Sequence, residues 1–197
     1  MSLTIRTFTG DAITPHLGDL ARLRIEVFRA FPYLYDGDLA YEARYVAQYA
    51  RAPSALFVLA FDGERVVGAS TAMAMADAGP EYSAPLADSP FTVDETLYYG
   101  ESVLDRAYRG RGVGRRFFAE REAHARRLGL TVGAFCAVER PDDHPLRPAD
   151  HVPLDGMWRA LGYTHHPDVR MTYTWKDLDE DAASPKTLSF WFKRLAG

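Results

Sequence analysis

Apolar and polar positions recur with two different periods in the first half of the chain, and each change of period marks a predicted element. Alternation over residues 3–6 predicts a short strand. Apolar residues at helical spacing predict helices over 16–31 and 39–50. Two β-rich runs, 55–61 and 65–72, flank an Asp-Gly turn, a pattern typical of a β-hairpin.

The second predicted helix carries a tyrosine stripe, Tyr41, Tyr45 and Tyr49, beside its apolar face. Aromatic residues four positions apart lie on one side of a helix and stabilise it through contact with one another. We interpret the stripe as core packing rather than as a binding surface.

The second half of the chain continues the mixture of strands and helices. Residues 76–95 contain glycine and three prolines, which predict an irregular loop. The elements predicted after it are a strand at 97–104, a helix at 112–128, a strand at 131–138, a short helix at 154–161, and strands at 168–176 and 187–194. About seven strands and four helices in mixed order predict an α/β sheet with helices on both faces, in a single domain over residues 1–197.

Composition narrows the function classes. Of the 197 residues, 47% are apolar and 25% charged, as in ordinary globular proteins, and the net charge of −4 argues against nucleic-acid binding. No run of about 18 apolar residues occurs, so we expect no membrane span, and the N-terminus predicts a soluble, cytoplasmic protein. Cys136 is the only cysteine, and the histidines lack a recognised ligand spacing, so no metal site is expected.

One glycine-rich segment, residues 108–115 (YRGRGVGR), lies between the predicted strand and the predicted long helix. Such a turn exposes backbone N–H groups at a helix N-terminus, which favours phosphate binding. A dinucleotide fingerprint would need a third glycine where Arg115 stands, and a Walker A loop would need Lys and then Ser or Thr after Gly114. A third interpretation is a plain surface turn, with glycine for flexibility and arginine for solubility.

The pattern that does fit is Arg-x-x-Gly-x-Gly, formed by Arg109, Gly112 and Gly114 after a strand, and here the chain resembles the GNAT superfamily of N-acetyltransferases. The resemblance implies a mostly antiparallel, twisted, mixed sheet whose central parallel strands splay apart. It also implies acetyl-CoA as co-substrate. Its pyrophosphate would contact Arg109, Gly110, Arg111, Gly112, Val113, Gly114 and Arg115, and its pantetheine arm would pair with the backbone of Val103 and Leu104.

Aminolysis of a thioester requires a neutral amine, so some group must take the proton of the acceptor. Glu101, on the strand just before the cofactor-binding backbone, is the candidate general base. The alternative for Glu101 is an exposed carboxylate or one paired with an arginine such as Arg106 or Arg109. Family members usually carry an Asn and a Tyr near the last helix, where this sequence has His151 and Trp158. The proton donor to the departing thiolate therefore stays open between Tyr163, His151 and water. Cys136 is interpreted as a buried small residue rather than as a catalytic thiol.

The acceptor predicted from the resemblance is a primary amine, either on a small molecule or on a peptide N-terminus or lysine. Residues that would form its pocket are Glu26, Phe28, Phe31, Tyr33, Tyr35, Asp36, Asp38, Glu42, Glu81 and Tyr82. Two alternatives stay open: an acyl-CoA-binding module without catalysis, and a structural protein whose arginine turn meets a phosphorylated partner. Exposed edges at Phe190–Phe192 would also permit a homodimer, and a monomer that buries these rings is equally compatible.

Overall fold

The computed structural model describes residues 3–196, apart from the side chain of Gln48, so the predicted domain limits at residues 1 and 197 lie outside the described residues. Its strands are β1 (Leu3–Phe8), β2 (Leu56–Asp62), β3 (Arg65–Ala74), β4 (Thr96–Tyr98), β5 (Ser102–Leu104), β6 (Val132–Val138), β7 (Thr164–Trp175) and β8 (Ser184–Arg194). Its α-helices are α1 (Leu17–Phe28), α2 (Leu39–Tyr49), α3 (Pro80–Ser83), α4 (Val113–Arg127) and α5 (Asp155–Ala160).

The eight strands form one mixed sheet, as predicted from the resemblance. Seven of them follow the order β1-β2-β3-β4-β6-β8-β7, and β5 pairs with β3. Every pair is antiparallel except β4 and β6, which run parallel. None of the helices in residues 3–196 is long and apolar enough to cross a lipid bilayer.

Helices cover both faces of the sheet, and the side chains of β2 show which helices lie on which face. Its residues Leu56 and Val58 pack in the same core cluster as Phe117 of α4. The alternate residue Phe57 packs with Leu23 of α1 and the other residues of a second cluster, which also contains part of α2. Successive side chains of a strand point to opposite faces, so α4 lies on one face and α1 and α2 on the other.

The predicted strand 97–104 is broken into β4 and β5 by a bulge. Met73 pairs with Tyr98 and Ser70 pairs with Ser102, so three residues of this segment oppose two residues of β3. At the break, Gly100 N donates to Thr71 O (3.2 Å) and Thr71 N donates to the carbonyl of Glu101 (3.1 Å). A Cβ on Gly100 would lie 2.6 Å from Thr71 Oγ1, so only glycine fits there.

The central parallel strands splay apart immediately after the bulge. The last pair of β4 and β6 is Tyr98 with Ala134, and Tyr99 N still donates to Ala134 O (2.7 Å). From there β5 pairs only with β3, while β6 continues alongside β8. A gap therefore opens between β5 and the C-terminal half of β6.

Two local predictions need correction. The loop over 76–95 contains α3 and short 3₁₀ turns. β8 is an interior strand between β6 and β7, and Phe190, Trp191 and Phe192 are buried at 0%, 2% and 1% exposure. These rings therefore pack inside the chain and do not form the exposed edge on which the dimer prediction was based. The oligomeric state stays a prediction without that support.

Candidate active site

The glycine turn before α4 presents unoccupied backbone donors. Gly110 and Gly112 have φ values of 74° and 78°, in the left-handed region that favours glycine. An added Cβ at either residue would meet nothing within 4 Å, so the turn is open to a ligand. Across the described residues, the N–H groups of 110–115 donate no hydrogen bond to the protein. They lie at the positive end of α4 and suit an anion.

The arginines of this turn add charge that no carboxylate neutralises. Within residues 3–196, Arg109, Arg111 and Arg115 have no acidic oxygen within 4.0 Å. Arg109 Nε donates to Leu104 O (3.4 Å), and Arg111 Nη2 donates to Ala107 O (3.1 Å). Free amides and unpaired guanidinium groups at one helix end fit a diphosphate.

The gap between the splayed strands continues from this turn as a cavity of about 760 Å³, which we call the gap cavity. Gly114 and Arg121 of α4, the bulge residues and the C-terminal half of β6 line it. Beside it, Val103 pairs with Ala69 and Leu104 pairs with Gly68, which leaves the other edge of β5 without a strand among the described residues. That edge can accept an extended chain.

Glu101 lies in the bulge and is buried, at 7% exposure. Its Oε2 accepts a hydrogen bond from Arg24 Nη1 of α1 at 2.6 Å. The carboxylate does not face solvent, and Arg106 and Arg109 form no ion pair with it. It is paired with an arginine, as the alternative interpretation allowed, but that arginine is Arg24. Burial raises the pKa of Glu101, while the positive charge of Arg24 opposes the increase.

Arg24 bridges two buried carboxylates. Its Nε is also hydrogen-bonded to Glu42 of α2, whose side chain is 1% exposed. Burial lowers the pKa of Arg24, but Glu101 and the other neighbours more than offset that effect and hold the pKa above its ordinary value. The group of Glu42, Arg24 and Glu101 therefore carries a net charge of about −1 when both carboxyls are ionised.

A second cavity, of about 370 Å³, lies on the α1 and α2 side of the bulge, and we call it the tyrosine cavity. Tyr41 and Tyr45 of the tyrosine stripe line it, and Tyr41 is 42% exposed. Tyr49 of the stripe is in the core, at 7% exposure, and Tyr45 packs partly buried against the same cluster, but Tyr41 does not, so our interpretation of the whole stripe as core was wrong. The other aromatic lining residues are Phe28, Tyr33, Tyr35, Tyr82, Tyr98, Tyr173 and Trp175.

Most of the residues predicted from the resemblance to form an acceptor pocket do line the tyrosine cavity. These are Phe28, Tyr33, Tyr35, Asp36, Asp38, Glu42 and Tyr82. Three do not line it. Glu26 pairs with Arg22, Phe31 lines the gap cavity, and Glu81 lies outside both cavities.

The two cavities meet at the bulge. Five residues line both of them: Phe28, Tyr33, Gly100, Glu101 and Cys136. We call this set the junction. It is the place where a molecule in the gap cavity and one in the tyrosine cavity would touch.

The residues considered earlier as proton donors are poorly placed. Tyr163 is 2% exposed and lines neither cavity, since its hydroxyl is bonded to Tyr99 and Glu122 at 3.1 Å each. His151 lines the gap cavity but packs on Phe31 (4.7 Å between ring centroids), and burial lowers its pKa. Trp158 packs edge-on against Phe135 and Trp191.

Cys136 belongs to the junction, but its thiol is not activated as a nucleophile. Burial raises the pKa of its thiol to about 11, and its Sγ contacts the Tyr98 hydroxyl (3.3 Å) and Met171 Sδ (3.5 Å). A thiol of this kind is largely protonated at neutral pH and is a poor nucleophile.

Arg24 and Arg140 were missed from the sequence. Arg140, after β6, forms a buried ion pair with Asp177 (Nη1 to Oδ2, 2.7 Å) and donates to the carbonyls of Pro32 and Tyr33 at 2.7 and 2.8 Å. Neither arginine stands in a motif, so no sequence signal separates them from the other arginines. Within residues 3–196, no group of three or more His, Cys, Asp or Glu side chains is arranged to hold a metal ion.

Comparisons with known proteins agree with this geometry. The model of the acetyltransferase (GNAT) family matches residues 20–148. No curated protein matches the sequence. Among solved structures, yncA from Salmonella typhimurium with its cofactor acetyl-CoA is 12% identical, with a TM-score of 0.62 over 100% of this chain and 95% of the other.

Two further solved structures have the same fold. A ribosomal-protein-alanine N-acetyltransferase from Brucella melitensis is 17% identical, with a TM-score of 0.62 over 98% of this chain and 99% of that one. An N-acetyltransferase from Staphylococcus aureus Mu50 is 13% identical, with a TM-score of 0.62 over 100% of both chains. At these identities the structures show the fold, and the family model covers well over half of the chain. The chain therefore belongs to the acetyltransferase (GNAT) family.

Proposed function

We propose that this protein transfers an acetyl group from acetyl-CoA directly to the primary amine of a small cationic molecule, with Glu101 as the general base. The observation that carries the proposal is that Glu101 is the one carboxylate among the described residues that lines both cavities. A base that removes a proton from the acceptor at the thioester must touch both substrates.

The donor side rests on the glycine turn and the free edge of β5. The unpaired amides of residues 110–115 and the guanidinium groups of Arg109 and Arg111 would hold the pyrophosphate of acetyl-CoA. Its extended pantetheine arm would pair with the backbone of Val103 and Leu104 and run through the gap cavity towards the bulge. The bound group supplies an activated acyl thioester, and every other part of the chemistry falls to the protein.

The acceptor side rests on charge and on aromatic rings. The tyrosine cavity contains the carboxylates Asp36, Asp38, Glu42 and Glu101 against one cation, Arg24. Asp36 is offset by Lys176 (2.8 Å), but the balance around the cavity is still negative. Tyrosine faces and carboxylates both attract an ammonium group. A volume of about 370 Å³ favours a small molecule over a folded protein surface.

The proton on the acceptor decides whether a base is needed. An alkylamine with a pKa near 10.4 is only about one part in a thousand neutral at pH 7.4. Burial raises the pKa of Glu101, which makes this carboxylate a better proton acceptor than an exposed one. Arg24 keeps it oriented through Oε2.

The alternative of a binding module without catalysis rests on the absence of the usual Tyr and Asn, at whose positions this sequence has Trp158 and His151. A single set of measurements separates it from the enzyme. Release of free thiol from acetyl-CoA is followed with a panel of amines that differ in length and charge, and thermal stabilisation by CoA, acetyl-CoA, NAD and ATP is measured alongside.

An enzyme gives amine-dependent thiol release above the hydrolysis background. A binding module is stabilised by CoA and shows no turnover with any amine. Stabilisation by NAD without stabilisation by CoA would contradict the donor assignment, and preference for a neutral amine over cationic analogues of the same size would contradict the acceptor class.

A further inference from the structure

A proton must reach the departing thiolate, and neither the usual position nor the earlier candidates can supply it. Trp158 has no ionisable hydroxyl, and Tyr163 lines neither cavity. The donor has to lie at the junction, because that is where the bond to sulfur would break. Among the five junction residues, only Tyr33, Glu101 and Cys136 have a side chain that can carry an exchangeable proton.

We propose that Tyr33, from the segment between α1 and α2, is the proton donor to the departing thiolate. This inference rests on the proposed acyl transfer and adds a residue to it. Glu101 is engaged as the base, and the Cys136 thiol is turned towards Tyr98 and Met171. The hydrogen bonds of Tyr33 within residues 3–196 involve its carbonyl and none involves its hydroxyl, which leaves the hydroxyl available to donate to a ligand.

The phenol is held at the junction by contacts to both its backbone and its ring. The carbonyl of Tyr33 accepts hydrogen bonds from Arg140 Nη2 (2.8 Å) and Trp175 Nε1 (3.0 Å). Its ring packs against Phe28, with centroids 4.5 Å apart, and against Trp175 at 6.0 Å. Arg140 is itself fixed by its buried ion pair with Asp177. A donor held in this way loses little conformational freedom when it acts.

The protonation state of Tyr33 at the junction is the one that a proton donor needs. Burial is the main cause that raises the pKa of Tyr33, and Cys136 adds to the increase, while Arg24 opposes it. The phenol therefore stays protonated at neutral pH. Burial also raises the pKa of the Cys136 thiol to about 11, and the same surroundings would make a departing thiolate more basic than it is in water.

The proton balance closes without another reactant. The acceptor ammonium first gives one proton to Glu101, which releases it to solvent. The neutral nitrogen then forms a bond to the acyl carbon and gives a second proton to Glu101, while the carbon–sulfur bond breaks and its electron pair goes to sulfur. Tyr33 gives its hydroxyl proton to that sulfur. Glu101 then releases its proton to solvent, and solvent restores the proton of Tyr33, so the products are an amide and a free thiol.

The test is Tyr33→Phe, which removes one oxygen and keeps the ring. We expect kcat to fall about 100-fold, towards the lower end of what general acids contribute, because a thiolate leaves more readily than an alkoxide or amine. The dissociation constant for CoA, measured by calorimetry, should stay unchanged. Tyr163→Phe is the matched control: it should lower the melting temperature, because two hydrogen bonds are lost, and leave kcat unchanged.

A second variant, Tyr33→His, keeps a proton donor at the same place. An imidazolium has an ordinary pKa near 6.5, so the kcat of Tyr33→His should decline as the pH rises through that region. The kcat of the wild-type protein should not decline there. The groups that face this position are Arg24 on α1, Glu101 in the bulge and Cys136 on β6, and they are the same in both proteins. If Tyr33→Phe had the same kcat as the wild-type protein, the assignment would be overturned. The same conclusion would follow if Tyr33→His had a pH profile identical to that of the wild-type protein. Absence of turnover in the wild-type protein itself would instead refute the proposed function.

Discussion

Replacing Glu101 with glutamine tests the proposed base with little change in shape. The amide fills the same volume and cannot accept the acceptor's proton. Arg24 keeps its ion pair with Glu42, so the substitution does not leave a buried cation without a partner. The net charge of the three-residue group changes from about −1 to about 0. We therefore expect the variant to fold.

The expected loss follows from the ionisation of the amine. Without a base, only the neutral fraction of the acceptor can react, and this is about one part in a thousand at pH 7.4, equivalent to about 4 kcal/mol. General bases contribute about 10²–10⁴-fold, so kcat/KM for Glu101→Gln should fall about 10²–10³-fold at this pH. Exposed Glu64→Gln, at the turn between β2 and β3, is the matched control and should retain wild-type activity.

The pH profile distinguishes loss of a base from damage to binding. Burial raises the pKa of Glu101 above 4.5, so wild-type kcat/KM should decline as the pH falls through that raised value and the carboxylate becomes protonated. Glu101→Gln lacks this limb, and its rate should rise about tenfold per pH unit until the amine itself is neutral, near pH 10.4. The deficit therefore narrows at high pH. A deficit that stays constant with pH, or none at all, would refute the role of Glu101 as base.

Two further predictions concern the donor site and acid stability. Arg109→Glu and Arg111→Glu should each raise the dissociation constant for CoA measured by calorimetry, and the increase should be smaller at high salt. The exposed control Arg51→Glu should not change this constant. Unchanged affinity in both Arg109→Glu and Arg111→Glu would argue against the glycine turn as the phosphate site. Hydrogen bonds from Lys186 and Ser184 lower the pKa of Glu180 to about 2 from an ordinary 4.5, so its contribution to stability is present above pH 4.5 and is lost as the pH falls towards 2. Glu180→Gln should flatten the melting temperature as a function of pH across that interval relative to exposed Asp179→Asn, and a parallel curve would contradict the prediction.

The glycine turn and the elements around it could be predicted from the sequence because their causes are local. Gly110 and Gly112 adopt a backbone conformation that other residues seldom adopt, and the helical period after them is continuous. The hairpin of β2 and β3 follows from its Asp-Gly turn in the same way. The order of these elements was enough to predict the mixed sheet and the position of the glycine turn before α4.

The direction of Glu101 could not be predicted, because it depends on the bulge. One extra residue in a strand changes which face the following side chains take, and only the pairing with β3 shows where that residue lies. The partner of Glu101, Arg24, is 77 positions away in the sequence. A tyrosine stripe at helical spacing likewise looks the same whether it faces a core or a cavity, and Tyr41 faces a cavity.

By itself, then, the sequence determined the order of strands and helices, the open turn before α4 and the class of donor that suits it, because those properties depend on neighbouring residues. Only the tertiary structure decided which side chains meet where the strands separate. Glu101, Tyr33 and Arg24 come from separate segments, and they line the same cavity because the bulge, the α1–α2 connection and the Arg140–Asp177 ion pair bring these segments together. Contacts of this kind depend on long-range packing, for which no pattern of neighbouring residues exists.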